Sequence, residues 1–394
     1  MPDDSPFFLT KIECPVCKTI NEFETVKVGS YLEDGRDTDF CPKNIQWRFP
    51  RYQSYNPLAF FTVTCSNCYY TREFSNAFRD WQKDNNFRTY RLKTIKERHL
   101  EELAAPDSII KELANHMDLT RFPNETAIIK LHLAVFDELL NDRFKSLDLG
   151  RFYLRIGWVF RDMESGENPS NQTLKAILAE IDSKYRMIAD SFTSCTERIN
   201  VLASHIDAHF ATEELSADMK SRMLPYRERF NARLDELATD VQQARQKYQD
   251  FDELLTEYKS ETLGTDVAGR QTFGSYPSFT EFLLQARKRW DAIVTNEREA
   301  LEKAVHYYKK AFTDGSGIAP GNQQIQVSYL IAELSRRIGD YDGAREYFNS
   351  TIKNGQAFVH QYRHDRSRTV LARKILELAI EQGRANLAAL KAVS

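Results

Sequence analysis

The chain lacks any apolar run approaching the roughly 20 residues that span a bilayer, so a transmembrane helix is not expected. It also lacks a surplus of one charge. Fifty-four Lys and Arg face 57 Asp and Glu, a net charge of −3, and no global field draws the chain to nucleic acid or an anionic membrane. No Gly-rich phosphate loop, Gly-x-Ser-x-Gly elbow or His-Glu-x-x-His pair occurs, so the familiar signatures of phosphoryl transfer, acyl transfer and zinc proteolysis are missing. The opening "MPDDSPFFLT" carries an acidic pair where a secretory signal would be basic. A cytoplasmic, reducing setting is expected, and cysteine is scarce: six in 394 residues.

Four of those six fall into two Cys-x-x-Cys knuckles, Cys14 with Cys17 and Cys65 with Cys68. Two residues between thiols let one short turn aim both sulfurs at a single metal. Two such turns supply the tetrahedral thiolate set that zinc accepts. "PFFLTKI" and "LAFFTVT" precede the knuckles and have the β-branched and aromatic character of strands. A thioredoxin-like motif would instead open a helix with one pair. A four-cysteine site has no open coordination position, so one structural zinc is expected, with no catalytic metal. Cys41 has two readings, a small buried residue or a spare ligand or reactive thiol. Cys195 lies on an apolar helical stripe and reads as core.

Aromatic residues Tyr52, Tyr55, Phe60, Phe61, Tyr69 and Tyr70 alternate here with Lys43, Arg48, Arg51 and Arg72. Residues 1–80 nevertheless hold nine Lys and Arg against eleven Asp and Glu. A nucleic-acid module should be plainly positive, so the rings read as core. A zinc-ribbon regulator associated with nucleic acid is the alternative.

The strings "CPVC", "GRDTDFCP" and "YNPLAFFTVTCSNCYY" together resemble the opening of the bacterial family called domain of unknown function 2225. The matching positions include Cys14, Pro15, Cys17, Arg36, Asp37, Asp39, Phe40, Cys41, Asn56, Pro57, Leu58, Cys65, Cys68 and Tyr70. The resemblance covers about residues 10–160 and 297–385 and implies helical repeats after the ribbon. Lys18 and Tyr69 stand where that family carries glycine after each knuckle.

The repeats can also be read from the residues. Tyr153, Ile156, Gly157 and Phe160 occupy first-helix positions of a tetratricopeptide unit, with Gly157 allowing close helix approach. Ala304, Tyr308 and Ala311 supply a second helix. Ile331, Ala332, the turn Gly339–Tyr341, Ala344 and Phe348 form a nearly complete unit. Val370, Leu371, Ile375, Leu376 and Ile380 mark a closing helix, and residues 127–145 an amphipathic one before the first unit.

Between Met163 and Glu297 the first unit is split. Tyr185, Ile188, Phe192, Cys195, Ile199, Leu202 and Ile206 recur at spacings of three and four. Phe230, Leu234, Leu237, Val241, Ala244, Tyr248, Phe251, Leu255 and Tyr258 then do the same. That predicts an antiparallel coiled-coil hairpin, about 50 Å long if its first helix runs from Leu174 to Ile206. Its apex would hold Phe210, Leu215 and Met219, and a short helix through Phe282 to Ile293 would follow.

The expected fold class is mainly α: tetratricopeptide-like repeats with an inserted coiled-coil hairpin and a small β-rich N-terminal zinc ribbon. The expected divisions are 1–80, 81–163, 164–296 and 297–394. The pairs His205/His209 and His360/His364 have i, i+4 spacing but only two ligands each, and read as solvated faces. The expected function is a non-catalytic adaptor that binds a protein partner through the repeat groove or the arm, or a second copy through the arm. The candidate groove residues are Arg151, Leu154, Arg155, Trp158 and Arg161, with Tyr329, Glu333, Arg336 and Arg337. Five arginines beside two rings suit an acidic peptide. The competing reading buries Trp158 and leaves the arginines solvated.

Overall fold

The computed structural model describes residues 5–49, 52, 55–165, 169–211, 216–263, 273–315 and 317–393; of 76–77, 165, 169–183, 185–186, 255–263 and 393 only the backbone is described. Arg51 and Leu215, and the side chains of Leu174, Tyr185, Leu255 and Tyr258, lie outside that description. The chain divides into two compact units, residues 1–164 with 273–394, and residues 165–272. No described helix is long and apolar enough to cross a membrane.

The larger unit begins with three separate antiparallel ribbons. The first pairs β1 (Phe7–Glu13) with β2 (Ile20–Val26), the second β3 (Tyr31–Glu33) with β4 (Ile45–Trp47), and the third β5 (Thr62–Thr64) with β6 (Thr71–Glu73). An isolated two-stranded ribbon is marginal in water, so each must lean on something else. Phe7, Trp47 and Phe60 join the same buried cluster as the following helices, with Phe7 and Phe60 ring centroids 4.5 Å apart. The ribbon aromatics are thus core side chains: Phe60 and Tyr70 are buried, and Tyr52, Tyr55, Phe61 and Tyr69 pack half-buried against the same cluster.

Helices α1 (Asn76–Arg79), α2 (Leu92–Ala104), α3 (Ile109–Ala114), α4 (Pro123–Leu139) and α5 (Ser146–Ser165) follow. The amphipathic helix expected at 127–145 starts earlier, with Pro123 in its first turn, and ends at Leu139. It is also not amphipathic. Every residue from Thr126 to Phe136 except Lys130 is buried, as befits a helix apolar on all sides.

After α8 (Phe279–Arg287), helices α9 (Glu297–Asp314), α10 (Asn322–Arg337), α11 (Tyr341–Gln361) and α12 (Arg366–Val393) complete the unit. Side-chain caps set several starts: Ser278 accepts from the Glu281 amide, Asn296 from Glu299 and Asp340 from Gly343. α5 packs on α9, and a Cβ on Gly157 would meet the Leu301 side chain at 2.9 Å, so the close approach read from the sequence is real. In α12 the buried row is Ala372, Ile375 and Ala379, whereas Val370, Leu371 and Ile380 face solvent.

The smaller unit pairs α6 (Pro169–Ala211) with α7 (Ala217–Leu263). Asp207 bonds Arg227 and Asn231, and the Phe192 and Tyr248 rings lie 5.6 Å apart, so the helices run antiparallel. At 43 residues, α6 is about 65 Å long. The connection expected around Phe210 to Asp218 falls where α6 ends at Ala211 and α7 starts at Ala217, and α7 carries Pro225 within it. Of the predicted seam, Ile199 and Leu234 are buried, Cys195 is half-buried, and Leu202, Phe230, Leu237 and Phe251 stay exposed. The expected short helix is α8, and Phe282, Leu283 and Ile293 belong to the core of the larger unit.

Candidate metal centre and repeat groove

Each knuckle is the turn of a hairpin. Six residues separate Glu13 from its partner Ile20, and six separate Thr64 from Thr71. The backbone bonds repeat as well: Lys18 N donates to Cys14 O and Cys14 N to Thr19 O, while Tyr69 N donates to Cys65 O and Cys65 N to Tyr70 O. Both turns close on a left-handed residue, Lys18 at φ 67° and Tyr69 at φ 63°. A side chain is strained there, which explains why glycine suits the position.

The ligand atoms of Cys14, Cys17, Cys65 and Cys68 all lie within 4.8 Å of one another. Cys14 and Cys68 sulfurs are 3.6 Å apart, and those of Cys17 and Cys65 3.5 Å. A tetrahedron of thiolates about 2.3 Å from a metal has edges near ~3.8 Å, so the four sulfurs fit one ion. Crowding alone makes them share protons unequally. Hydrogen bonds from Cys14 and Cys68 hold the Cys65 thiol down, and the contact with Cys65 pushes Cys14 up to about 12. A cation would replace those shared protons.

Three side chains brace the turns without entering the sulfur cluster. Asn21 donates to the Cys65 sulfur and accepts from the Ser66 amide, tying one hairpin to the other. His99 on α2 lies 2.8 Å from the Cys68 carbonyl through Nε2 and 2.6 Å from Asp137 through Nδ1. Burial opposes a charge on His99, but the Asp137 carboxylate outweighs it and raises its pKa. Asp137, on α4, also accepts from the Thr71 amide. Sequence reading missed all three, because a lone histidine on a helix carries no spacing signal.

Cys41 is not one of the four. Its sulfur faces its neighbour's Pro42 carbonyl, and burial with Asp39 beside it pushes the thiol up to about 12, which removes the reactive-thiolate reading. The four histidines of the two i, i+4 pairs are all exposed.

The nine groove residues lie on α5 and α10, and an acidic segment does occupy five of them. The segment is the chain's own, residues 37–40. Asp39, fully buried, accepts from Trp158 Nε1 at 3.1 Å and from Arg161 Nη2 at 2.7 Å. Asp37 pairs with Arg161 and Arg337. Burial would raise the Asp37 carboxyl, yet the Thr38 amide and Arg337 hold it below the usual range. Thr38 donates to buried Glu333 and accepts from Tyr329 through its carbonyl. The Phe40 and Tyr329 rings are 5.5 Å apart.

The remaining candidates divide differently. Arg336 pairs with Glu333, and Arg151 with Glu73 and Asp148. Leu154 is buried. Arg155 is the exception: among the described residues no carboxylate lies within ion-pair distance of it.

The fold and centre define a mainly helical protein built around a closed four-thiolate site that could hold a metal ion. A sequence model of the family described as "Uncharacterized protein conserved in bacteria (DUF2225)" matches residues 7–197 and 285–371, and the chain belongs to that family. No curated protein and no solved structure matches it.

Proposed function

We propose that this protein is a non-catalytic cytoplasmic adaptor, with a structural zinc at the four cysteines and the α6–α7 hairpin as its partner-binding element. Zinc is the metal that suits four thiolates in closed geometry, and closure leaves no position for substrate. The groove is less suited to an external acidic peptide than its composition suggests, because Asp37 and Asp39 already neutralise Arg161 and Arg337.

The observation that carries the reading is the apolar surface of the arm. Leu202, Phe230, Leu237, Phe251 and Leu254 stay between 44% and 64% exposed on helices that are already paired with each other. Two helices cannot cover a seam on both sides, and large uncovered apolar patches mark interaction surfaces. The test replaces Phe230, Leu237 and Leu254 with serine in the full chain. Proteins that copurify with the unsubstituted chain from its bacterium should be lost, with melting of the larger unit unchanged. An unchanged set of copurifying proteins would remove the arm from the account.

A further inference from the structure

A cavity of about 410 Å³ lies inside the larger unit, between α5, α10 and the loop segments that carry Phe40, Pro42 and Phe61. That volume is within the range of small-ligand sites, about 300–1,000 Å³. Its wall is apolar at Leu58, Phe61, Leu154, Val327 and Leu330 and polar at Glu33, Arg36, Arg151, Arg155, Gln323 and Gln326.

Three arginines line the cavity, and two are spoken for. Arg36 pairs with Glu33, and Arg151 with Glu73 and Asp148. Arg155 is not. Its Nη1 donates to the Arg151 carbonyl at 3.0 Å, while its Nε is buried without an acceptor. Its guanidinium lies 4.1 Å from the centre of the Phe61 ring and 5.7 Å from that of Trp158. The Nε/Nη2 edge, the pair of parallel donors that grips a carboxylate, has no protein acceptor among the described residues. The Gln326 amide, half-buried on the same wall, likewise makes no hydrogen bond among them. A buried cation without a counter-charge is costly, and so is an unsatisfied buried donor.

The lining therefore offers one positive charge without a carboxylate partner, one idle amide at Gln326, and an apolar side formed by Leu154, Val327 and Leu330. We propose that the cavity binds a small amphipathic monocarboxylate, its carboxylate on the Arg155 guanidinium and its apolar body along Leu154, Val327 and Leu330. A phosphate dianion would need a second free cation, and the pairing of Arg36 and Arg151 removes it.

Decanoate, octanoate and phenylacetate, titrated calorimetrically into the full chain, test this, with decanol as the uncharged control. At least one of the acids should bind saturably at 1:1 and raise the melting temperature. Arg155→Met should weaken that binding at least tenfold and leave decanol binding unchanged. Without ligand the same variant should melt no lower than the native chain, because it removes a charge that has no carboxylate partner. Leu330→Trp, which fills the cavity, should abolish binding of acid and alcohol alike. Should Arg155→Met fail to fold, Gln326→Leu serves in its place, with a smaller loss of acid affinity expected. No saturable binding of any acid, or equal affinity in native chain and variant, overturns the proposal.

Discussion

The larger unit and the arm use the same residue types to opposite ends. In the larger unit even charged groups are enclosed: Asp39 and Glu333 are fully buried, and each has guanidinium partners. In the arm even leucines are open, with Leu254 at 64% exposure. The first region closes much of itself, through sulfur cluster, acidic loop and three apolar clusters, although Leu9, Ile20 and Val370 stay exposed and Arg155 lacks a carboxylate partner among the described residues. The second leaves apolar side chains uncovered on both of its paired helices.

That contrast can be broken most forcefully at the sulfurs. Structural zinc contributes about 10 kcal/mol or more to folding of small sites at neutral pH. Protein purified without added metal should hold one zinc per chain. Cobalt exchanged for it should show the intense visible bands of a tetrahedral thiolate site. Cys65→Ser should lose the metal and unfold the ribbon region while the arm's helicity persists. Protein with less than a tenth of an equivalent of metal speaks against the centre.

The acidic loop comes next. Asp39→Ala leaves Arg161 and Trp158 facing an empty buried position, and breaking such a pair costs about 3–5 kcal/mol. Urea denaturation of variant and native chain measures it. A loss below about 1 kcal/mol would mean the loop merely rests on the groove.

His132 sharpens the comparison through pH. It is fully buried, its Nδ1 bonded to the Ile128 carbonyl and its Nε2 accepting from the Val294 amide, an arrangement only the neutral ring can make. Burial, the largest cause, drives its pKa down to about 4. The unfolded chain, with a histidine near 6.5, then binds the extra proton between pH 6.5 and 4. Stability from this residue is therefore present above pH 6.5 and lost on acidification toward pH 4, on the order of 3 kcal/mol. His132→Gln should flatten that part of the pH–stability curve. A native curve parallel to the variant's would mean that the ring takes up its proton as readily in the folded chain as in the unfolded one.

The smallest effect belongs to the arm. Leu254→Ser should change stability by about 0.5 kcal/mol or less, because the side chain is exposed. Gly157→Ala in the larger unit adds only a methyl, yet should cost about 1–3 kcal/mol against Leu301. Reversal of that order would undo the contrast.

Much of this was legible because it is local or periodic. The two knuckles share one spacing, the helices at Glu297 and Tyr341 have side-chain caps, and Gly157 marks a close approach. The acidic loop was not legible in the same way. Asp37, Asp39 and the groove arginines were each visible, but 122 residues separate Asp39 from Arg161, and no pattern joins them. The edge of the arm was misplaced for a related reason. The return and the short helix through Phe282 to Ile293 carry no sequence mark of where the insertion ends, and only the packing of Phe273 and Phe282 in the larger core assigns them to the larger unit. The turn between α6 and α7 was legible near Phe210 to Asp218, where the seam pattern lapses and the helices end at Ala211 and resume at Ala217.

The proposal that the open surface of the arm meets a protein partner is tested most directly by site-specific photocrosslinking in the bacterium that makes this protein. A benzophenone amino acid is placed at Phe230, Leu237 or Leu254, and as controls at the exposed Lys96 and Glu381 of the larger unit. The account predicts a discrete higher-mass adduct from the arm positions and none from the controls; an adduct of twice the chain mass would make the partner a second copy. Adducts confined to the control positions, or none at any arm position, would contradict it.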